Sequence, residues 1–242
     1  MEDIGRRDEL EDRHFLVQGF RGKAGSMLGG VFDGHFSDAV SRLAASKVAG
    51  LVEARLAKNQ QPDVALGGAL KDADGLVEET KAGSTAVVFL LRAGEVAAAN
   101  LGDSVLILVT ETGQQVLTEE HRLSNPKEKS RIEALGTKTD GTYVLLPDGG
   151  GVMCTRALGD HRFRKVGVIA EPFTMRARVG MDARWLIAGC DGLTDELSSA
   201  DIAGMARGCA SAREICEKLR DEALVARSGT DNLTILAIDL RT

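Results

Sequence analysis

Aromatic residues are scarce: Phe, Trp and Tyr make up 4% of the 242 residues. The interior must be filled by Ala, Val, Leu and Ile, which the 43% apolar content supplies, and the length suffices for a sizeable core. Cysteine is also rare. Cys154, Cys190, Cys209 and Cys216 contain no Cys-x-x-Cys pair, which excludes the spacing of a zinc site or a disulfide framework. Buried thiols in a reducing compartment are expected instead. Positive charge is not in excess: the net charge is −6 and the pI about 5.4. No basic footprint marks a general nucleic-acid binder. No run approaches membrane-spanning length. Met1–Leu10 is mostly charged and lacks the apolar stretch of a secretory signal. Asn232-Leu233-Thr234 fits a glycosylation acceptor, but it falls in an apolar strand pattern and reads as a chance match. The expectation is a monomeric cytoplasmic or nuclear protein with no membrane or nucleic-acid partner. Repeats and low-complexity tracts are absent too.

What is present alternates between strand and helix. His14–Phe20 and Met27–Phe32 read as strands joined by the turn Arg21–Ser26. Ser37–Lys58 reads as a helix with Val40, Leu43, Ala44, Val48, Leu51 and Val52 on one stripe, and Pro62 opens a second running to about Thr80. Three short apolar runs follow: Ser84–Leu91, Glu95–Leu101 and Val105–Thr110. Their short connections favour antiparallel hairpins. Asn125-Pro126-Lys127-Glu128 is a helix start, with Gly136 as its stop. Thr137–Thr155 is Gly-rich and reads as an insertion. Phe173–Val179 and Trp185–Cys190 are strands, Ser198–Arg207 and Ser211–Ala226 helices, the second with a Ser211/Glu214 capping box, and Asn232–Leu240 a last strand. Two antiparallel sheets covered by helices are expected, in an α+β chain.

Acidic residues recur at the ends of the apolar runs. Asp33 follows Val31-Phe32, Asp103 follows Asn100-Leu101-Gly102, Asp191 follows Trp185–Cys190, and Asp231 precedes Leu233–Leu236. Any one of them alone reads as a turn residue, since Asp-Gly is a common turn dipeptide. Together, with His35 beside Asp33, they offer oxygen ligands to a hard cation such as magnesium or manganese. Converging carboxylates without a cation would repel one another. The charged run Arg6–His14 leads straight into a strand, and an arginine there could grip a phosphate in bidentate fashion.

These residues fall into ordered motifs: Arg7-x-x-x-Glu11-Asp12, Val31-Phe32-Asp33-Gly34-His35, Gly83-Ser84-Thr85-Ala86, Asn100-Leu101-Gly102-Asp103-Ser104, Leu117-Thr118-x-x-His121, Asn125-Pro126-x-Glu128-x-x-Arg131-Ile132, Thr155-Arg156-Ala157-Leu158-Gly159-Asp160, Ala170-Glu171-Pro172, Cys190-Asp191-Gly192 with Asp195, and Asp231-Asn232. In this order they resemble the metal-dependent protein serine/threonine phosphatases of the 2C type, over nearly the whole chain. The resemblance implies a four-layer α-β-β-α sandwich, one catalytic domain over 1–242 with a flap around 126–151, and a phosphorylated protein as substrate. It implies two Mg²⁺ or Mn²⁺ ions: Asp33 bridging, Glu11 and the Gly34 carbonyl completing one site, Asp191 and Asp231 the other. A third, weaker site would use Asp103 and Asp191. Arg7 would bind the phosphate, His35 would protonate the leaving group, and Asp12 would accept from the nucleophile. That nucleophile would be a metal-bridged hydroxide, formed from a water whose pKa falls towards roughly 7.

Departures from the family pattern are local. Val105 stands where an arginine is common, Phe36 and Ser37 where glycines are, and Thr194 where a tryptophan is. Only Met1–Arg6 precede the Arg-x-x-x-Glu-Asp motif, where the family usually has a strand. A missing edge strand is expected to expose its neighbour and loosen Arg7. Two other functions fit the same motifs: a phosphatase-fold binding module of weak or no activity, and a hydrolase of small phosphate esters.

Overall fold

The computed structural model describes residues 1–241; Thr242, the last residue of the expected domain, lies outside them. In chain order the elements are β1 (Glu2–Asp3), β2 (Arg13–Gln18), β3 (Met27–Phe32), β4 (Gly34–His35), α1 (Ala39–Ala57), α2 (Pro62–Asp74), β5 (Gly83–Ser84), β6 (Ala86–Arg92), β7 (Glu95–Leu101), β8 (Val105–Thr110) and β9 (Gln114–Val116). Then come α3 (Pro126–Glu133), β10 (Val144–Leu145), β11 (Gly151–Val152), β12 (Leu158–Gly159), β13 (Phe173–Arg178), β14 (Ala183–Gly189), α4 (Asp191–Thr194), α5 (Ser199–Arg207), α6 (Ala212–Arg220) and β15 (Leu233–Asp239).

Two five-stranded sheets carry the fold, ordered β13-β7-β6-β3-β2 and β1-β15-β14-β8-β9, with neighbouring strands antiparallel. Strand alternation divides their side chains between three layers. Val88, Leu90, Ala97 and Ala99 face α1 and α2. Val87, Phe89, Val96 and Ala98 meet Leu106, Leu108, Leu186 and Ala188 between the sheets. Ile107, Val109, Trp185 and Ile187 face α5 and α6. This is the expected α-β-β-α sandwich. Because both faces of the central strands are covered, runs such as Ala86–Leu91 are apolar throughout rather than alternating.

Helices form where the stripes lie. Val40, Ala44, Val48, Val52 and Leu56 recur every four residues along α1 and are buried. In α3 the Asn125 side chain accepts from the Lys127 amide, with Pro126 opening the helix. The second helix is shorter than expected, closing at Asp74 before Gly75. The full capping box is Ser198/Asp201; Glu214 instead accepts from the Ala210 amide.

Two expectations are corrected. Asp33-Gly34-His35 is not a turn: Gly34–His35 is a short strand paired with Gly83–Ser84. Nor is the edge strand missing. Glu2 and Asp3 pair with Thr234 and Leu233, and the Met1 amino group donates to the Ile235 carbonyl at 2.7 Å.

Candidate active site

All the acidic strand ends emerge at one end of the paired sheets. Arg7, Glu11, Asp33, Gly34, His35, Asp103, Asp191 and Asp231 line a single cavity of about 190 Å³. Asp12 lies beneath it, fully buried. All nine expected residues are thus brought together. The segment carrying Arg7 and Glu11 is stapled to the last strand by Asn232. Its Nδ2 donates to the carbonyls of Ile4 (2.9 Å) and Glu9 (3.1 Å), and its Oδ1 accepts from the Glu11 amide (2.8 Å). Gly5, at φ 61, sits so close that a Cβ would lie 2.0 Å from the Asp231 carbonyl oxygen, so the turn accepts only glycine.

The carboxylates repel. Burial, then the charges of Asp191 and Asp12, raise the Asp33 carboxyl well above its ordinary range. Burial pushes Asp12 up to about 6. Burial and the charge of Asp103 push Asp191 up to about 7. Burial raises Glu11 as well. Neither oxygen of Asp12 has a hydrogen-bond partner among the described residues, and one ligand atom each of Asp12, Asp33 and Cys190 lie within 4.8 Å of one another. Orphaned buried oxygens in a mutually repelling carboxylate set fit a hard divalent cation.

His35 is held by a residue for which no role was expected. Its Nε2 meets Asp160 Oδ2 at 2.8 Å, and Asp160 is fully buried. Burial pulls the imidazole pKa down, but the Asp160 hydrogen bond and charge outweigh it, so the group sits above the ordinary histidine value. The dyad needs Gly83: a Cβ there would lie 2.4 Å from His35 Nε2 and 2.5 Å from the Asp160 carboxyl. Asp160 stands in the Thr155–Asp160 motif, which α3 anchors. Buried Glu128 accepts from Arg131 Nη2 and Thr155 Oγ1 at 2.7 Å and from Arg156 Nη2 at 2.6 Å. His121 is structural: burial lowers it to about 4, so it is neutral, and its backbone ties Gly102 to Thr155.

Arg7 is half-exposed and donates to Asp231 Oδ2 at 2.6 Å. An exposed pair of this kind is worth about 0–1 kcal/mol, so the guanidinium can exchange partners at little cost. Phe36 keeps a left-handed backbone, φ 65, at a place where glycine is common. It lies edge-on to His35 at the cavity mouth, with Tyr143 of the insertion also lining it. Sequence reasoning missed Arg122, which ion-pairs with Asp103, Asp191 and Asp195. The cue was its place directly after His121 in a recognised motif. The four cysteines are free and buried, as expected.

Comparison with known proteins agrees with the fold. A family model described as "Protein phosphatase 2C" matches residues 2–233. "Probable protein phosphatase 2C 25" of Arabidopsis thaliana is 30% identical over 249 residues, covering 98% of this chain and 62% of its own length. "Protein phosphatase 2C homolog 2" of Aspergillus fumigatus is 30% identical over 272 residues, with 98% and 62% covered. The chain thus spans about three fifths of these curated relatives. Among solved structures, a serine-threonine phosphatase 2C from Toxoplasma gondii superposes with a TM-score of 0.83 at 24% identity, covering 99% of this chain and 93% of that one. A serine/threonine phosphatase from Staphylococcus aureus gives 0.73 at 19%, with 100% and 94% covered. The chain belongs to the protein phosphatase 2C family.

Proposed function

We propose that this member of the protein phosphatase 2C family hydrolyses phosphoserine and phosphothreonine in proteins with the help of divalent cations. The observation that carries the reading is the convergence of Glu11, Asp33, Asp191 and Asp231 on one cavity that also holds His35 and Arg7. Asp33 would bridge two cations, Glu11 and the Gly34 carbonyl would serve one, and Asp191 and Asp231 the other. Mg²⁺ or Mn²⁺ held there supplies Lewis acidity, offsets carboxylate repulsion and lowers the pKa of bound water.

The chain's own residues do the rest. Arg7 leaves Asp231 for the phosphate, which its planar fork meets with two hydrogen bonds. Asp12, without a donor of its own, accepts a proton or hydrogen bond from the attacking water. His35 donates a proton to the departing serine or threonine oxygen. Asp160 holds its Nε2, so Nδ1 is the atom left to donate. General-acid help of this kind is worth ~10²–10⁴-fold. Tyr143 and Gly151 of the flap around 126–151 line the cavity, and the flap would select the peptide.

The test is phosphate release from a phosphothreonine peptide with Mn²⁺, with chelator, and with Asp191→Ala. Activity confined to the Mn²⁺-loaded wild type is expected. Equal rates in wild type and variant would overturn the reading, and hydrolysis of small esters without peptide turnover would redirect it.

A further inference from the structure

Arg122 occupies the place where a third cation is expected. Its backbone is fixed on both sides: the His121 amide donates to the Gly102 carbonyl at 3.0 Å, and Arg122 itself forms a β-bridge with Cys154. From there the side chain, 14% exposed, reaches across the acidic cluster. Nε donates to Asp103 Oδ2, Nη2 to Asp191 Oδ2 at 2.9 Å, and Nη1 to Asp195 Oδ1 at 2.7 Å. Three carboxylates from two places in the fold, the turn after β7 and both ends of α4, close on one guanidinium. Cys154 Sγ adds a fourth contact to Asp103 Oδ2, at 3.2 Å.

We propose that Arg122 is a built-in cation that pairs with Asp103, Asp191 and Asp195, offsets part of their charge and excludes a third divalent ion from between them. The inference rests on the two-cation reading above. A guanidinium carries a permanent charge and five N–H donors in a rigid plane. It therefore satisfies several carboxylates at once without dissociating. A hard cation at the same place would need the same oxygens, and would have to sit beside a poorly exposed positive group held by a fixed backbone. The site is thus divided. Asp33, Glu11 and Asp231 are left to exchangeable metal, Asp191 is shared, and Asp103 belongs to the protein's own charge.

The experiment is the Mn²⁺ stoichiometry of the intact chain by equilibrium dialysis, with thermal melts of the metal-free protein alongside. Wild type is expected to bind two ions and to show no further uptake at millimolar Mn²⁺, where sites with dissociation constants on the order of 10⁻⁴–10⁻³ M would fill. Arg122→Met is expected to gain a third, weaker ion, and Asp103→Asn in that background to lose it again. Metal-free Arg122→Met should melt several degrees below wild type and recover that loss only at Mn²⁺ levels that fill the third site. Asp103→Asn alone keeps Arg122 and should still bind two, which serves if Arg122→Met does not fold. Three ions on wild type, falling to two in Asp103→Asn, would overturn the inference while leaving the two-cation reading intact. No ion on wild type would overturn both.

Discussion

Asp12, Asp33 and Asp191 hold their protons more tightly in the folded chain than in the unfolded one. The stability such groups contribute is full below the unfolded carboxyl pKa, about 3.9, and is lost as pH rises through the raised folded values, about 6 for Asp12 and about 7 for Asp191. His35, also raised, acts in the same direction. His121, lowered to about 4, acts oppositely, but only below the ordinary histidine pKa near 6.5. From about pH 6.5 to 8 the melting temperature of the chelated protein should therefore fall, and Mn²⁺ should flatten the slope. A melt series in buffer with and without chelator checks this; a chelated protein that grows more stable over that interval would contradict it. His35 gives a second prediction. His35→Gln should slow phosphothreonine peptide hydrolysis by ~10²–10⁴-fold but slow an aryl phosphate far less, because a phenolate departs without a proton. Asp160→Asn, which keeps the shape and removes the charge, should lower kcat more than it raises KM.

Among the elements, α3 and β15 do more for the site than their distance in sequence suggests. Glu128, 1% exposed, pairs with Arg131 within α3 and joins the helix to Arg156 and Thr155, and so steadies the segment ending at Asp160. Those partners, against the cost of burial, hold its pKa well below the usual carboxylate range. Its contribution is present above the unfolded pKa near 4.3 and lost as pH falls below it. Glu128→Gln leaves two arginines underpaired and should cost about 3–5 kcal/mol in chemical denaturation at pH 7. Asn232→Ala should cost ~1–3 kcal/mol and raise the Mn²⁺ concentration needed for activity, since Glu11 would lose its staple. Strands and helices were largely legible because apolar runs and caps such as Asn125-Pro126 are local signals. The two-residue strands were not. Glu2–Asp3 is too short and too charged to read as a strand, and it forms because β15 offers an unpaired edge. Gly34–His35 looked like a turn because Asp-Gly usually is one, and its pairing with Gly83–Ser84 depends on a partner strand far away in sequence.

At the scale of the whole molecule, the sandwich brings residues from position 7 to position 231 to one end of two sheets. The order of motifs made that convergence readable, since each acid sits at the end of its own strand. Cross-chain partnerships were not readable: Arg122 with three acids, Asp160 with His35, and Asn232 with the N-terminal segment depend on contacts no local pattern encodes. Ligand linkage follows from the same convergence. Saturating Mn²⁺ at about 100 times its dissociation constant should stabilise the chain by ~2.7 kcal/mol per site. The most direct measurement is anomalous diffraction from crystals grown with Mn²⁺. Two peaks are expected, bounded by Glu11, Asp33, Asp191 and Asp231, with none between Asp103 and Asp195. A cavity without manganese, or ions bound by other residues, would contradict the metal-centred reading of this site.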